Sequence, residues 1–128
     1  MSADPKPKPP SKAARKRAKF GREFCCDARV AFVRNLRCPA YNTTPCENHH
    51  IESGGTSYKA HYTKIAPLSF RAHQEVHLWG RKTFEERHGI DLEVEAAYTD
   101  TRWLLHCMAN GLDPETGAAL TNDSRRPQ

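Results

Sequence analysis

The sequence has no long hydrophobic run. None of its apolar stretches approaches the ~18 residues of a membrane span, and the mean hydropathy is −0.80. The basic N-terminus has no apolar core of about 7–15 residues behind it, so a secretory signal is not expected. Cysteine comes in an odd number, five in 128 residues. That disfavours a disulfide framework and favours reduced thiols or metal ligands, as in the cytoplasm. Acidic residues are scarce at one end. Residues 1–20 carry seven Lys or Arg and a single acid, Asp4, while the other 108 residues carry 13 basic and 14 acidic side chains. The net charge of +5 therefore lies wholly in the N-terminal segment. The length suits one domain.

What is present divides the chain into three. Residues 1–20 read as a disordered basic arm: Pro5, Pro7, Pro9 and Pro10 alternate with lysines and give nothing to bury. Lys12, Arg15, Lys16, Arg17 and Lys19 make the arm a candidate for phosphate contacts, with helix formation from Ser11 to Lys19 on an anionic partner. Residues 21–111 read as the folded domain and 112–128 as a polar tail. Within the domain, Phe24, Ala28, Ala31, Phe32 and Leu36 recur at helical spacing and predict one helix over 22–37. Pro39 stops it. A loop with Cys38 and Cys46 follows, then a short strand at 49–51, a Gly54-Gly55 turn and a return strand at 60–66. Ser69 is a good N-cap for a helix that runs to Trp79, with Gly80 at its end. Thr83 and Glu86 suggest a capping box for a short helix ending at Gly89. A last helix spans about Asp91 to Asn110. Cys25, Cys26 and Cys107 read as helix core positions.

Histidine is abundant, at seven residues, and four of the seven form two tight pairs. His73 and His77 stand one turn apart on one helical face, where two imidazoles can reach the same ion. His49 and His50 precede them across the Gly-Gly turn. A hairpin packed on the helix would bring all four together. A lone His-x-x-x-His is usually a surface accident; the ordered combination is the stronger signal for a metal site.

The run HHIESGGTSYKAHYTKIAPLSFRAHQEVH, residues 49–77, resembles the ββα-metal core of the HNH (His-Me finger) nucleases. Within that superfamily it is most similar to phage and prophage nucleases of the RecA-dependent Ref type. The likeness covers about residues 28–107 and implies a small α+β fold: a ββα-metal core with a flanking N-terminal helix and C-terminal helices. It implies a DNA endonuclease acting in recombination or DNA processing inside a bacterial host, with DNA and a recombinase filament or another processing protein as partners. By position, His50 becomes the general base and His49, His73 and His77 the metal ligands. The chemistry is consistent: a neutral imidazole can take a proton near neutral pH, and one divalent cation, Mg²⁺ or Mn²⁺ with Zn²⁺ as the other candidate, can stabilise the leaving oxygen. One geometric objection stands. Adjacent residues of a regular strand point to opposite faces, so His49 and His50 share a site only if the strand ends or bulges there.

The sequence departs from that pattern in two places. No asparagine occurs between Asn48 and Asn110, so the middle residue of the motif is missing, and Thr63 or Lys64 stands near its position. His61 is a further candidate for metal or phosphate, and equally a plain surface residue. Many such nucleases also hold a structural zinc through Cys-x-x-Cys. Here Cys38 is followed by Tyr41 in place of the second cysteine, and Ser69 stands where another cysteine is common. Cys38 and Cys46 remain candidate zinc ligands, but two thiols fall short of the four that structural zinc takes; the alternative is burial in a small loop. Glu47 is a candidate to orient a ligand histidine, against a solvated loop glutamate. Lys59 and Arg71 are candidate phosphate contacts. Trp79 reads as core rather than a base-stacking platform. Two rival readings of the whole are a non-catalytic nucleic-acid-binding module on the same scaffold and a histidine-based metal-binding protein whose metal is structural.

Overall fold

The computed structural model describes residues 5–51 and 61–120. Within them the fold is mixed α+β. The elements are α1 (Lys12–Phe24), α2 (Asp27–Arg34), β1 (Glu47–His50), a 3₁₀ turn (Tyr62–Lys64), β2 (Ile65–Leu68), α3 (Phe70–Trp79), α4 (Arg81–His88) and α5 (Leu92–Asn110). The two strands pair antiparallel, Glu47 with Leu68, Asn48 with Pro67, His49 with Ala66 and His50 with Ile65. β2 is buried at every position, between β1 and α5.

Local chemistry places several elements where the sequence predicts them. The Ser69 hydroxyl accepts from the Ala72 amide and starts α3. The Asp91 carboxylate accepts from Glu93 and Val94 and starts α5. Gly111, at φ 63°, closes it in the left-handed conformation. The core gathers Ala66 and Leu68 of β2, Ala72 and Val76 of α3, Phe84 of α4, and Leu92 and Ala96 of α5.

Several expectations are corrected. The arm read as disordered over 1–20 is helical from Lys12, within the stretch expected to turn helical on a partner, and α1 runs on to Phe24, capped by the Ser11 hydroxyl on Ala14, with none of its residues buried. The single helix expected over 22–37 is instead two helices that break at Cys25-Cys26. Cys25 takes φ 72° and its amide bonds back to Gly21, while Cys26 becomes the N-cap of α2. The buried residues of α2 are Arg29 and Val33, whereas Ala28 and Ala31 are exposed, so the apolar face read from the sequence is rotated. Arg29 is held inside by Asp100, at 3.2 Å. Cys25 and Cys26 thus sit at a helix junction, and only Cys107 is a helix core residue. Helix α4 starts directly after Gly80 rather than at the Thr83 box. Finally, residues 112–120, read as part of a polar tail, fold back on the end of α5. Leu112 bridges Ala119, the Leu120 amide donates to the Gly111 carbonyl, and the Trp103 indole donates to the Pro114 carbonyl at 2.9 Å. The strands are also displaced from the expected 49–51 and 60–66, and the Gly54-Gly55 turn lies outside the described residues.

Candidate metal centre

The pleat of β1 sorts its residues to two sides. Residues paired across an antiparallel ladder share a face, so Glu47 and His49 lie on the side of Ala66 and Leu68, toward α3. His49 is buried, at 7% exposure. Its ring meets those of His73 and His77 at centroid distances of 4.7 and 6.1 Å, and the last two are 4.8 Å apart. Each of the three offers a nitrogen within 4.8 Å of the others. A three-histidine set fits a divalent transition metal and leaves positions for solvent or substrate. Burial, and then the neighbouring His73, His77, His50 and Arg81, lower the His49 pKa to about 4. The ring is therefore neutral at physiological pH, as a ligand must be.

Glu47, read as either an orienting group or a solvated loop glutamate, is a half-exposed strand residue in contact with His73. Its Oε1 lies 2.6 Å from His73 Nδ1. A carboxylate accepts, so Nδ1 donates and His73 keeps the Nε2 lone pair for a ligand.

Asn48 and His50 face the other side. The Asn48 amide donates to the Val30 carbonyl of α2. His50 turns to the last turn of α1, where its Nε2 lies 2.6 Å from the Glu23 carbonyl and its ring stands edge-on to Phe24 at 4.8 Å. A carbonyl only accepts, so Nε2 carries the proton, and a neutral His50 has its lone pair on Nδ1. The strand ends at His50. His49 and His50 leave opposite faces, so the expected meeting of all four histidines is not formed: three converge, and His50 only borders the same cavity of about 660 Å³, with Asn48, Ile51, His73, Val76, His77 and Arg81.

Other candidates fall elsewhere. The ring of His61 is engaged with Thr63, through its hydroxyl and its amide, and stacks on Tyr62. Lys64 pairs with Glu93 at 3.0 Å. Neither lines the cavity. Arg71 lies over the Tyr41 ring at 4.5 Å and 3.6 Å from Glu75. Lys12, Arg15, Lys16, Arg17 and Lys19 are exposed on α1, Arg15 donating to the Pro10 carbonyl. Lys59 lies outside the described residues.

Cys38 and Cys46 are core residues at 1% and 2% exposure. Burial, with Cys38 nearby, raises the Cys46 thiol to about 11, so in the metal-free chain it is a buried, protonated thiol. Among the described residues no other metal-ligating group gathers with them, so the candidate structural zinc site is not formed. Tyr41 shows what ties the loop down instead. Its hydroxyl donates to Glu75 Oε2 at 2.5 Å, and His88 bonds Glu75 Oε1 at 2.8 Å. Burial alone would raise Glu75; the bonds from Tyr41 and His88 outweigh it and hold the carboxylate below its ordinary pKa. The loop, α3 and α4 are thereby linked by one carboxylate. Trp79 packs on Phe84 and His88, in keeping with a packing role.

Sequence reasoning missed Arg81 in the cavity wall, the Glu23 carbonyl and Phe24 beneath His50, and the Tyr41–Glu75–His88 chain. None carries a motif. Comparison with known protein families, curated proteins and solved structures finds no match for this chain. No helix among the described residues is long and apolar enough to cross a membrane.

Proposed function

We propose that the chain is a metal-dependent DNA endonuclease of the HNH type. The observation that carries this reading is the convergence of His49, His73 and His77 beside a fourth histidine, His50, whose Nε2 is committed to a carbonyl. A divalent cation held by the three histidines would supply Lewis-acid stabilisation of the leaving oxygen. The chain's own groups do the rest. His50 accepts a proton from the attacking water at Nδ1. Its ring is held by Glu23 and Phe24, which fill the bracing role of the missing asparagine. Glu47 fixes the tautomer of His73. Arg81 lines the cavity while paired with Glu85 at 3.3 Å and Glu93 at 3.6 Å, and would exchange part of that pairing for the scissile phosphate. The exposed basic residues of α1 add phosphate contacts without base readout, so binding is salt-dependent and weakly sequence-selective. A phage or prophage setting in recombination or DNA processing, with a recombinase among the partners, is part of the same proposal.

The test is plasmid relaxation by purified wild type and His50→Ala in EDTA, Mg²⁺ and Mn²⁺. Metal-dependent nicking by wild type and none by the variant is the expected result. DNA retention without cutting in any metal would favour a binding module. Wild-type cutting by a well-folded His50→Ala would remove His50 as the base.

A further inference from the structure

Helix α5 is apolar on two opposite sides. Leu92, Ala96, Thr99, Trp103 and Cys107 are buried in the core. On the outer side Val94, Tyr98, Thr101, Leu105 and Met108 recur at spacings of four, three, four and three, the repeat of a helix-packing seam. These are well exposed: Tyr98 56%, Leu105 57% and Met108 78%. The charged residues of the helix, Glu93, Glu95, Asp100 and Arg102, all fall to the flanks. Scattered apolar residues on a surface need no account, but a contiguous apolar seam marks an interaction surface.

We propose that the outer seam of α5 docks antiparallel on the same seam of a second copy of this chain. Two features select that occupant. Read against itself in reverse, the seam sets Tyr98 opposite Thr101 and Val94 opposite Leu105. Large meets small, and the pairing is identical from either copy, as a two-fold axis requires. Glu95 and Arg102 lie seven positions apart along one border of the seam. Antiparallel docking sets each copy's Glu95 beside the other copy's Arg102, giving two symmetry-related ion pairs. A parallel arrangement would set both charges against the apolar border of Ala97 and Leu104. A seam of this length covers less than the ~800 Å² per partner of a standard interface, so the dimer is reversible and concentration-dependent.

Sedimentation velocity of the full chain without DNA, across the micromolar range, tests this. Wild type should move from monomer to dimer mass as concentration rises. Tyr98→Glu and Leu105→Glu should remain monomeric with wild-type circular dichroism and melting, because both side chains are exposed. Glu95→Arg should weaken association about tenfold, and Arg102→Glu in the same chain should restore it. A wild type that stays monomeric overturns the proposal, as does a dimer that survives both seam substitutions. Failure of the charge exchange to restore association overturns the antiparallel register.

Discussion

The Nε2 nitrogen of His50 lies 2.6 Å from the backbone carbonyl oxygen of Glu23. That contact joins the last turn of the basic helix α1 to the histidine proposed as the base. Because α1 buries no residue of its own, its effect on activity can be separated from stability. Phe24→Ala removes the ring beneath His50 and should lower kcat about tenfold, with little change in KM. Lys16→Gln with Lys19→Gln should do the opposite: KM rises, kcat holds, and the salt dependence of DNA binding flattens. Steady-state cleavage at several salt concentrations distinguishes the two.

Glu47 reaches the metal centre only through His73. Its removal should therefore weaken metal binding without deleting a ligand. Glu47→Ala is expected to reduce Mn²⁺ or Zn²⁺ affinity by roughly 10–100-fold, measured by calorimetric titration. Glu47→Gln, which can still accept a hydrogen bond from Nδ1, should lose less. Equal affinity in wild type and Glu47→Ala would show that His73 needs no such partner.

The lowered pKa of His49 makes both folding and metal uptake pH-dependent. An unfolded histidine titrates near 6.5, and His49 in the fold near 4. The unfolded chain therefore binds a proton that the native chain refuses. The stability tied to neutral His49 is complete above about 6.5 and is lost progressively as pH falls toward 4, for a total of roughly 2–3 kcal/mol. In the folded chain protons compete with metal at His49 only as the pH approaches 4. Melting temperatures of the metal-free protein from pH 8 to pH 4 should fall along that course. In His49→Asn the fall should be shallower.

Gly117 is a position where only glycine fits. It has φ 73°, and an added Cβ would lie 2.4 Å from the Ala28 Cβ. Gly117→Ala must adopt a left-handed backbone and displace α2 as well. The expected cost is roughly 2–3 kcal/mol, read from denaturant unfolding. Activity per folded molecule should be unchanged, since the hook of residues 112–120 does not line the metal cavity.

Local signals settled α3 and α5 in advance. Ser69 and Asp91 cap them, Gly80 and Gly111 end them, and the i,i+4 spacing of His73 and His77 needs only a helix to share a face. Glu47 was within reach because it stands two positions before His49, on the same strand face. Tertiary structure decided the rest. The break at Cys25-Cys26 has no proline or glycine to announce it; it lets α2 pack Arg29 and Val33 inward while α1 delivers Glu23 to His50. That partner is a backbone carbonyl, and every residue has one, so no side-chain pattern could mark it. Arg81 enters the cavity wall because α4 follows α3 directly after Gly80. Lys64 and His61, plausible by position, are engaged by Glu93 and Thr63. Sequence alone thus determined the histidines that could share a metal and the helices with clear caps, α3 and α5. Packing determined which of them meet, because that depends on how the faces of separate elements are turned toward one another.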